Sequence, residues 1–202
     1  MAFNITNMIK QGLQGGVAKT SHFEVLITPP NGLSTDFTRN LMYRADSVEI
    51  PGRTSLTIDH KFTNNGPMNK LPYSNIYPDV TITFILSDNF AEKTFFDTWQ
   101  SLMLDVQPGN FGEFNVKYFD SYKGIVQIRQ FSQTGTLQTT TTLHDAYPII
   151  INGVQMGWQD DSIARISVQM AHRYYTVESS NDKPEKNEVP VETPQQRTNV
   201  FR

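Results

Sequence analysis

Side chains able to do chemistry are few in this sequence and lie far apart. Histidine occurs at four positions, His22, His60, His144 and His172. None stands at a recognised metal-ligand spacing from another histidine or an acid. His60 and His172 fall in phase with the apolar residues around them, where an imidazole reads as a structural side chain. Asp160-Asp161 is the one adjacent acidic pair. Neighbours on a strand point to opposite faces, and this pair follows Trp158 at an expected turn. Asp145, next to His144, reads the same way. Cysteine is absent, which removes disulfides, thiolate metal sites and cysteine nucleophiles together. No G-x-S-x-G elbow, P-loop or G-x-G-x-x-G occurs. Gly12, Gly15 and Gly16 follow an amphipathic stretch instead of opening one, so they stop a helix and do not cradle a phosphate. The reading is no catalytic, cofactor-binding or metal-ligating residue. A hydrolase lacks its nucleophile and base.

Composition narrows the class further. The chain has 202 residues, enough for one domain with an appendage. A body of this size buries roughly 70% of its unfolded surface and needs no disulfide staple. Seventeen basic and 20 acidic residues leave a net charge of -3. Proteins that coat nucleic acid carry a basic excess, so tight binding of DNA or RNA is disfavoured. No apolar run reaches the roughly 18 residues of a membrane span, and residues 1–16 lack the apolar stretch of a signal peptide. A soluble protein made in the cytosol is expected.

The elements that would position these residues are mostly strands. Apolar residues alternate over 22–28, 41–50, 55–62, 80–86, 124–131, 137–143, 149–158 and 162–177. The last is the clearest, with Ala164, Ile166, Val168, Met170 and His172 opposite Arg165, Ser167, Gln169 and Arg173. Over 41–50 the phase shifts, which predicts a bulge. A helix is expected near residues 89–106. Asn89 would cap it, with Glu92 completing a capping box. Its apolar stripe is Ala91, Phe95, Trp99, Leu102, Met103 and Val106. A short N-terminal helix carries Ile5, Met8, Ile9 and Leu13 on one face. Docking on its own domain and docking on a neighbouring subunit both stay open for it. The fold class is therefore mainly β, an antiparallel β-sandwich or barrel with a short N-terminal helix and one longer helix.

Two connections stand out. Residues 63–78 hold Gly66-Pro67, Leu71-Pro72 and Tyr77-Pro78, a length that in a compact domain marks a functional or mobile loop. Residues 178–202 carry Pro184, Pro190, Pro194 and charges of both signs, with Phe201 as the one aromatic. That composition cannot bury enough apolar surface to order itself. The division is a β domain over 1–177 and a disordered tail over 178–202.

The order of short segments resembles a known family. Ser21-His22-Phe23-Glu24-Val25 is followed by Ser47-Val48-Glu49-Ile50-Pro51-Gly52 and by a strand pair around the loop 64–75. Then come Phe96-Asp97-Thr98-Trp99-Gln100, Ile128-Arg129-Gln130-Phe131, Ala146-Tyr147-Pro148, Trp158-Gln159-Asp160 and a closing Tyr174-Tyr175. Over residues 3–177 the chain is similar to the tail tube proteins of contractile-tailed bacteriophages, whose architecture the type VI secretion tube protein shares. The resemblance implies a structural virion protein, made in the host cytoplasm and located in the virion tail. It implies homo-hexameric rings that stack into a tube through which the genome passes. Its implied partners are further rings, tail sheath, baseplate tube proteins and the tape measure protein, with transient non-specific contact with genomic DNA and none with a membrane. The tail after Val177 departs from the family pattern and points to a baseplate tube-initiator ring as the alternative. A soluble ligand-binding β-barrel is the second.

Two segments are expected to make subunit contacts. One is the loop, through Gly66, Pro67, Met68, Leu71, Tyr73 and Ile76, apolar groups with no periodic element to bury them. The other is the N-terminal helix, through Ile5, Met8, Ile9 and Leu13.

Overall fold

A computed structural model describes residues 18–35, 37–61, 68–106, 114–158 and 162–179. Strands β1 (Phe23–Thr28), β8 (Gly124–Phe131), β9 (Leu137–Ile151), β10 (Arg165–Ala171), β5 (Val80–Ile85) and β2 (Ala45–Val48) pair in that spatial order. Strand β11 (Tyr174–Ser179) joins them on β9. Two ribbons stand apart from this seven-stranded sheet, β3 (Thr54–His60) with β4 (Asn69–Ile76) and β6 (Leu104–Val106) with β7 (Phe114–Val116). Helices α1 (Thr38–Tyr43), α2 (Ala91–Met103) and α3 (Phe119–Tyr122) lie between strands. Every strand pair is antiparallel, as the sequence leads one to expect.

Alternation explains the core. Val80, Ile82 and Phe84 of β5 are buried and stand opposite Met170, Val168 and Ile166 of β10. Thr81 and Thr83 face the other way with Gln169 and Ser167, and Thr83 Oγ1 meets Ser167 Oγ at 3.0 Å. Val25 and Ile27 of β1, Val126 and Ile128 of β8, and Leu143 and Ala146 of β9 complete the same core. Phe95, Phe96 and Trp99 of α2 close it. Each buried Val, Leu, Ile, Phe or Met side chain, taken out of water, contributes about 1.5–3 kcal/mol.

The sheet turns a corner along β9. Asp145 sits at φ 56, in the left-handed region. The change of phase lets Leu143 and Ala146, three residues apart, both be buried. Before the corner β9 pairs with β11, and beyond it with β10. Strands that cross between layers bend in this way in sandwiches.

Several local expectations are corrected. Residues 162–177 are two strands, because the chain leaves the ladder at His172 and Arg173 opposite the bend; the Arg173 N–H then donates to the His144 carbonyl at 3.1 Å. The stretch 41–50 begins as helix α1, and only 45–48 is strand. Residues 137–151 form one strand, and 152–158 lie outside any strand. Helix α2 ends at Met103, where Leu104 takes extended angles and opens β6. Its N-cap is Phe90, left-handed at φ 52. Asn89 Oδ1 accepts the Ala91 N–H at 3.4 Å, while Glu92 reaches back to Ser87 and not to the cap. Leu102 and Met103 are half-buried, and the inward face is Glu92, Phe95, Phe96 and Trp99. His60 is exposed, whereas His172 is buried as expected. Strand β11 continues through Glu178 and Ser179.

Candidate functional site

The loop expected over 63–78 is, from Asn69 to Ile76, a strand. It pairs along its length with β3 to make a projecting two-stranded arm. Pro72 is compatible with a strand here because a two-stranded ribbon has only edges, where a missing N–H is tolerated. The register passes from Leu56↔Ser74 to Thr57↔Pro72, so Tyr73 is the extra residue of a bulge.

The bulge decides what the arm presents. Partners across a ladder share a face, and faces alternate along a strand. One face therefore carries Leu56, Ile58, Leu71 and Ile76, with Thr54, Ser74, His60 and Asn69. The opposite face carries Ser55 with Asn75, Thr57 with Pro72, and Asp59 with Lys70. The Ser55 hydroxyl donates to Asn75 Oδ1 at 2.9 Å across that polar face. Without the bulge, Leu71 and Ser74 could not share a side. Much of this apolar face is open: Ile58 is 58% exposed, Ile76 49% and Leu71 44%, while Leu56 is half-buried. Among the described residues the ribbon pairs with no third strand, and an exposed apolar ribbon face is a binding surface or a liability.

Of the residues expected to make contacts, Leu71, Tyr73 and Ile76 lie on the arm and Met68 just before it, all four exposed, with Leu71 and Ile76 on the apolar face and Tyr73 at the bulge. Gly66, Pro67, Ile5, Met8, Ile9 and Leu13 lie outside the described residues. Leu56 and Ile58 belong to the same apolar face and were not among the candidates. The signal was in the alternation of 55–62, which reads as a half-buried strand until its partner is known.

The outer face of the sheet is polar and locally neutralised. Arg165 Nε donates to Asp46 Oδ2 at 2.9 Å, and Gln169 Nε2 to Asp79 Oδ2 at 3.3 Å. Glu24 pairs with Arg129 at 3.7 Å. A second apolar surface surrounds an open groove between α2, β7 and β9, walled by Met103, Leu104, Val116, Tyr147 and Ile149. Among the described residues, no three acidic or histidine side chains converge as a metal site, and no helix is long and apolar enough to cross a membrane.

A bent antiparallel sandwich with a projecting amphipathic arm is the class of protein these features define. Residues 18–178 match the family model described as phage tail tube protein, and the chain belongs to that family of structural tail proteins. Among curated proteins none matches. Solved structures share the fold at low identity. A chain of the anti-feeding prophage baseplate, 6-fold symmetrised, superposes with a TM-score of 0.58 at 12% identity, covering 81% of this chain and 97% of that one. A chain of the sheath-tube complex of the extracellular contractile injection system PVC, in the extended state, gives 0.56 at 13% identity, covering 88% and 99%. A chain of the PVC sheath/tube terminator gives 0.56 at 15%, covering 81% and 97%.

Proposed function

We propose that this protein is a tail tube subunit whose copies close into rings of six and stack, leaving a channel for the genome. The observation that carries the reading is the exposed apolar face of the β3–β4 arm, with Ile58, Leu71 and Ile76 open, on a fold of the tail tube family. A face holding Leu56, Ile58, Leu71 and Ile76 finds its cover on another copy. A head-to-tail contact of this kind closes a ring or propagates a stack. Among the described residues β1, β2 and β11 each keep one side without a strand partner, and pairing between copies at such sides supplies the other contact, since it removes exposed edges. Weak contacts repeated around a ring act together. The sixfold symmetry named for the similar baseplate supports the number of copies.

Sheath, cap and baseplate proteins are the partners this reading carries, from the assemblies in which the similar chains occur. The tape measure protein inside the tube and passing DNA complete the set. Near-neutral charge and paired acids and bases on the polar face suit a channel, because each phosphate contact adds affinity and hinders passage. A baseplate tube-initiator ring is the second reading, favoured by the baseplate chain among the similar structures.

The test is electron microscopy of the purified full chain beside the double variant Ile58→Ser/Leu71→Ser. The wild type should give rings or tubes. The variant should stay folded, since these sites are exposed, and remain unassembled. Normal rings from the variant would remove the arm from the assembly contact. A wild type monomeric at all concentrations would remove the tube reading itself.

A further inference from the structure

His172 occupies the corner where β10 gives way to β11. It is 9% exposed, and neither Nδ1 nor Nε2 has a hydrogen-bond partner. A buried imidazole with two orphaned nitrogens is unusual, because buried polar atoms nearly always find partners. Its surroundings are aromatic. The rings of Tyr77 and Tyr175 each lie 6.2 Å away, and the two tyrosines meet edge to face at 5.6 Å. Tyr77 immediately follows Ile76, the last residue of the arm, so this cluster is where the arm is anchored to the body.

We propose that His172 is a proton-operated latch at the root of the β3–β4 arm. With the imidazole neutral, the Tyr77–His172–Tyr175 cluster stays closed and holds the arm in one orientation. Protonation places a charge with two N–H donors in a site that offers neither an acceptor, and the cluster opens to let water reach it. Three titratable groups lie near His172. Tyr77 and Asp79 come from the connection between β4 and β5, and Tyr175 from β11. Asp79 is the charged group whose field reaches it, and its Oδ2 already accepts from Gln169. Arg173, next in the chain, turns outward towards Asp145 at 3.7 Å. Burial lowers the affinity of His172 for a proton, with Asp79 pulling the other way. The closed cluster binds the proton less well than the open one. Its stability is thus complete above the ordinary histidine range of about 6.5 and is lost as pH falls through the lowered value.

The latch is separable from the tube reading, because it is measured on the full chain at a dilution where light scattering shows a monomer. The chain has no cysteine, so Lys70→Cys on the arm and Thr98→Cys on α2 accept a pair of spin labels and nothing else does. One narrow distance distribution is expected at pH 7.5, broadening or shifting at pH 5. In the same pair with His172→Phe, which fills the aromatic site and cannot be charged, the distribution should not change with pH. An unchanged wild-type distribution overturns the latch, and so does an equal change in both proteins. Should the phenylalanine variant fail to fold, NMR of the wild type decides. Tyr77 ring resonances that move with the His172 midpoint support the latch, and resonances that stay still while His172 titrates overturn it.

Discussion

Trp99 is fully buried, and its indole N–H donates to the Tyr122 carbonyl at 2.7 Å. Its ring packs edge-on against Phe95 at 5.9 Å. Replacing it with alanine leaves a cavity and an unpaired carbonyl, and should cost about 3–5 kcal/mol in denaturant unfolding. Gly124 explains why the indole fits. A Cβ there would lie 2.6 Å from the Thr28 carbonyl oxygen and 2.8 Å from the Trp99 ring. Gly124→Ala should therefore destabilise by about 1–3 kcal/mol, read in the same assay, although alanine normally suits a strand better than glycine. Glu92 is the buried charge of α2. Burial alone would raise its pKa. The Ser87 hydroxyl and N–H, at 2.6 and 2.8 Å, and Arg44 at 3.2 Å outweigh burial and hold it below the ordinary carboxylate value. A lowered folded value means stability that is present above the unfolded pKa and lost as pH falls through the folded one. Glu92→Gln should be less stable than wild type at pH 7, and the difference should shrink as both are unfolded at progressively lower pH.

At the scale of elements, what could be read in the sequence depended on how strictly apolar residues alternate. Strands β5 and β8 alternate without a break and stand where they are expected, and β10 is the regular part of the longer strand expected over 162–177. Helix α1 was hidden because Leu41, Tyr43 and Ala45 imitate a strand, while its local signal, Thr38 Oγ1 donating to the Thr35 carbonyl at 2.6 Å, is a turn contact too short to register. Two features make the arm look like a loop in the sequence. Pro72 punctuates it, and the bulge at Tyr73 breaks the period that Leu71 and Ile76 would otherwise keep. The break at His172 and Arg173 shows in the sequence only as a change of phase, from the even-numbered series that ends at His172 to Tyr175 and Val177; its cause lies on the neighbouring strand, at Asp145. Contact residues were recognised as apolar groups without a home, but their shared face follows from register, which one strand's sequence does not contain. The arm also makes a prediction of its own. Exchanging Asp59 and Lys70, which face each other on the polar side, should leave assembly intact in electron micrographs, because that face is already served by water.

For the whole molecule, the sandwich accounts for the described residues, and residues 180–202 lie outside them. Their composition is that of a solvated chain. Truncation after Ser179 should move the melting temperature by no more than a degree or two, as surface changes usually do. A larger loss in calorimetry would mean that the segment docks. The bend in β9 has a further consequence. Its fifteen residues belong to both halves of the sheet, so neither half owns a separable set of hydrogen bonds. Peeling β8 away strips one edge of β9 before the corner, and lifting β10 strips the other edge beyond it. No seam exists along which one layer could melt and leave the other standing. Amides on β8, β9 and β10 should accordingly exchange with deuterium only through global opening, at one common free energy, while those on β1 and β2 exchange sooner by fraying from the rims.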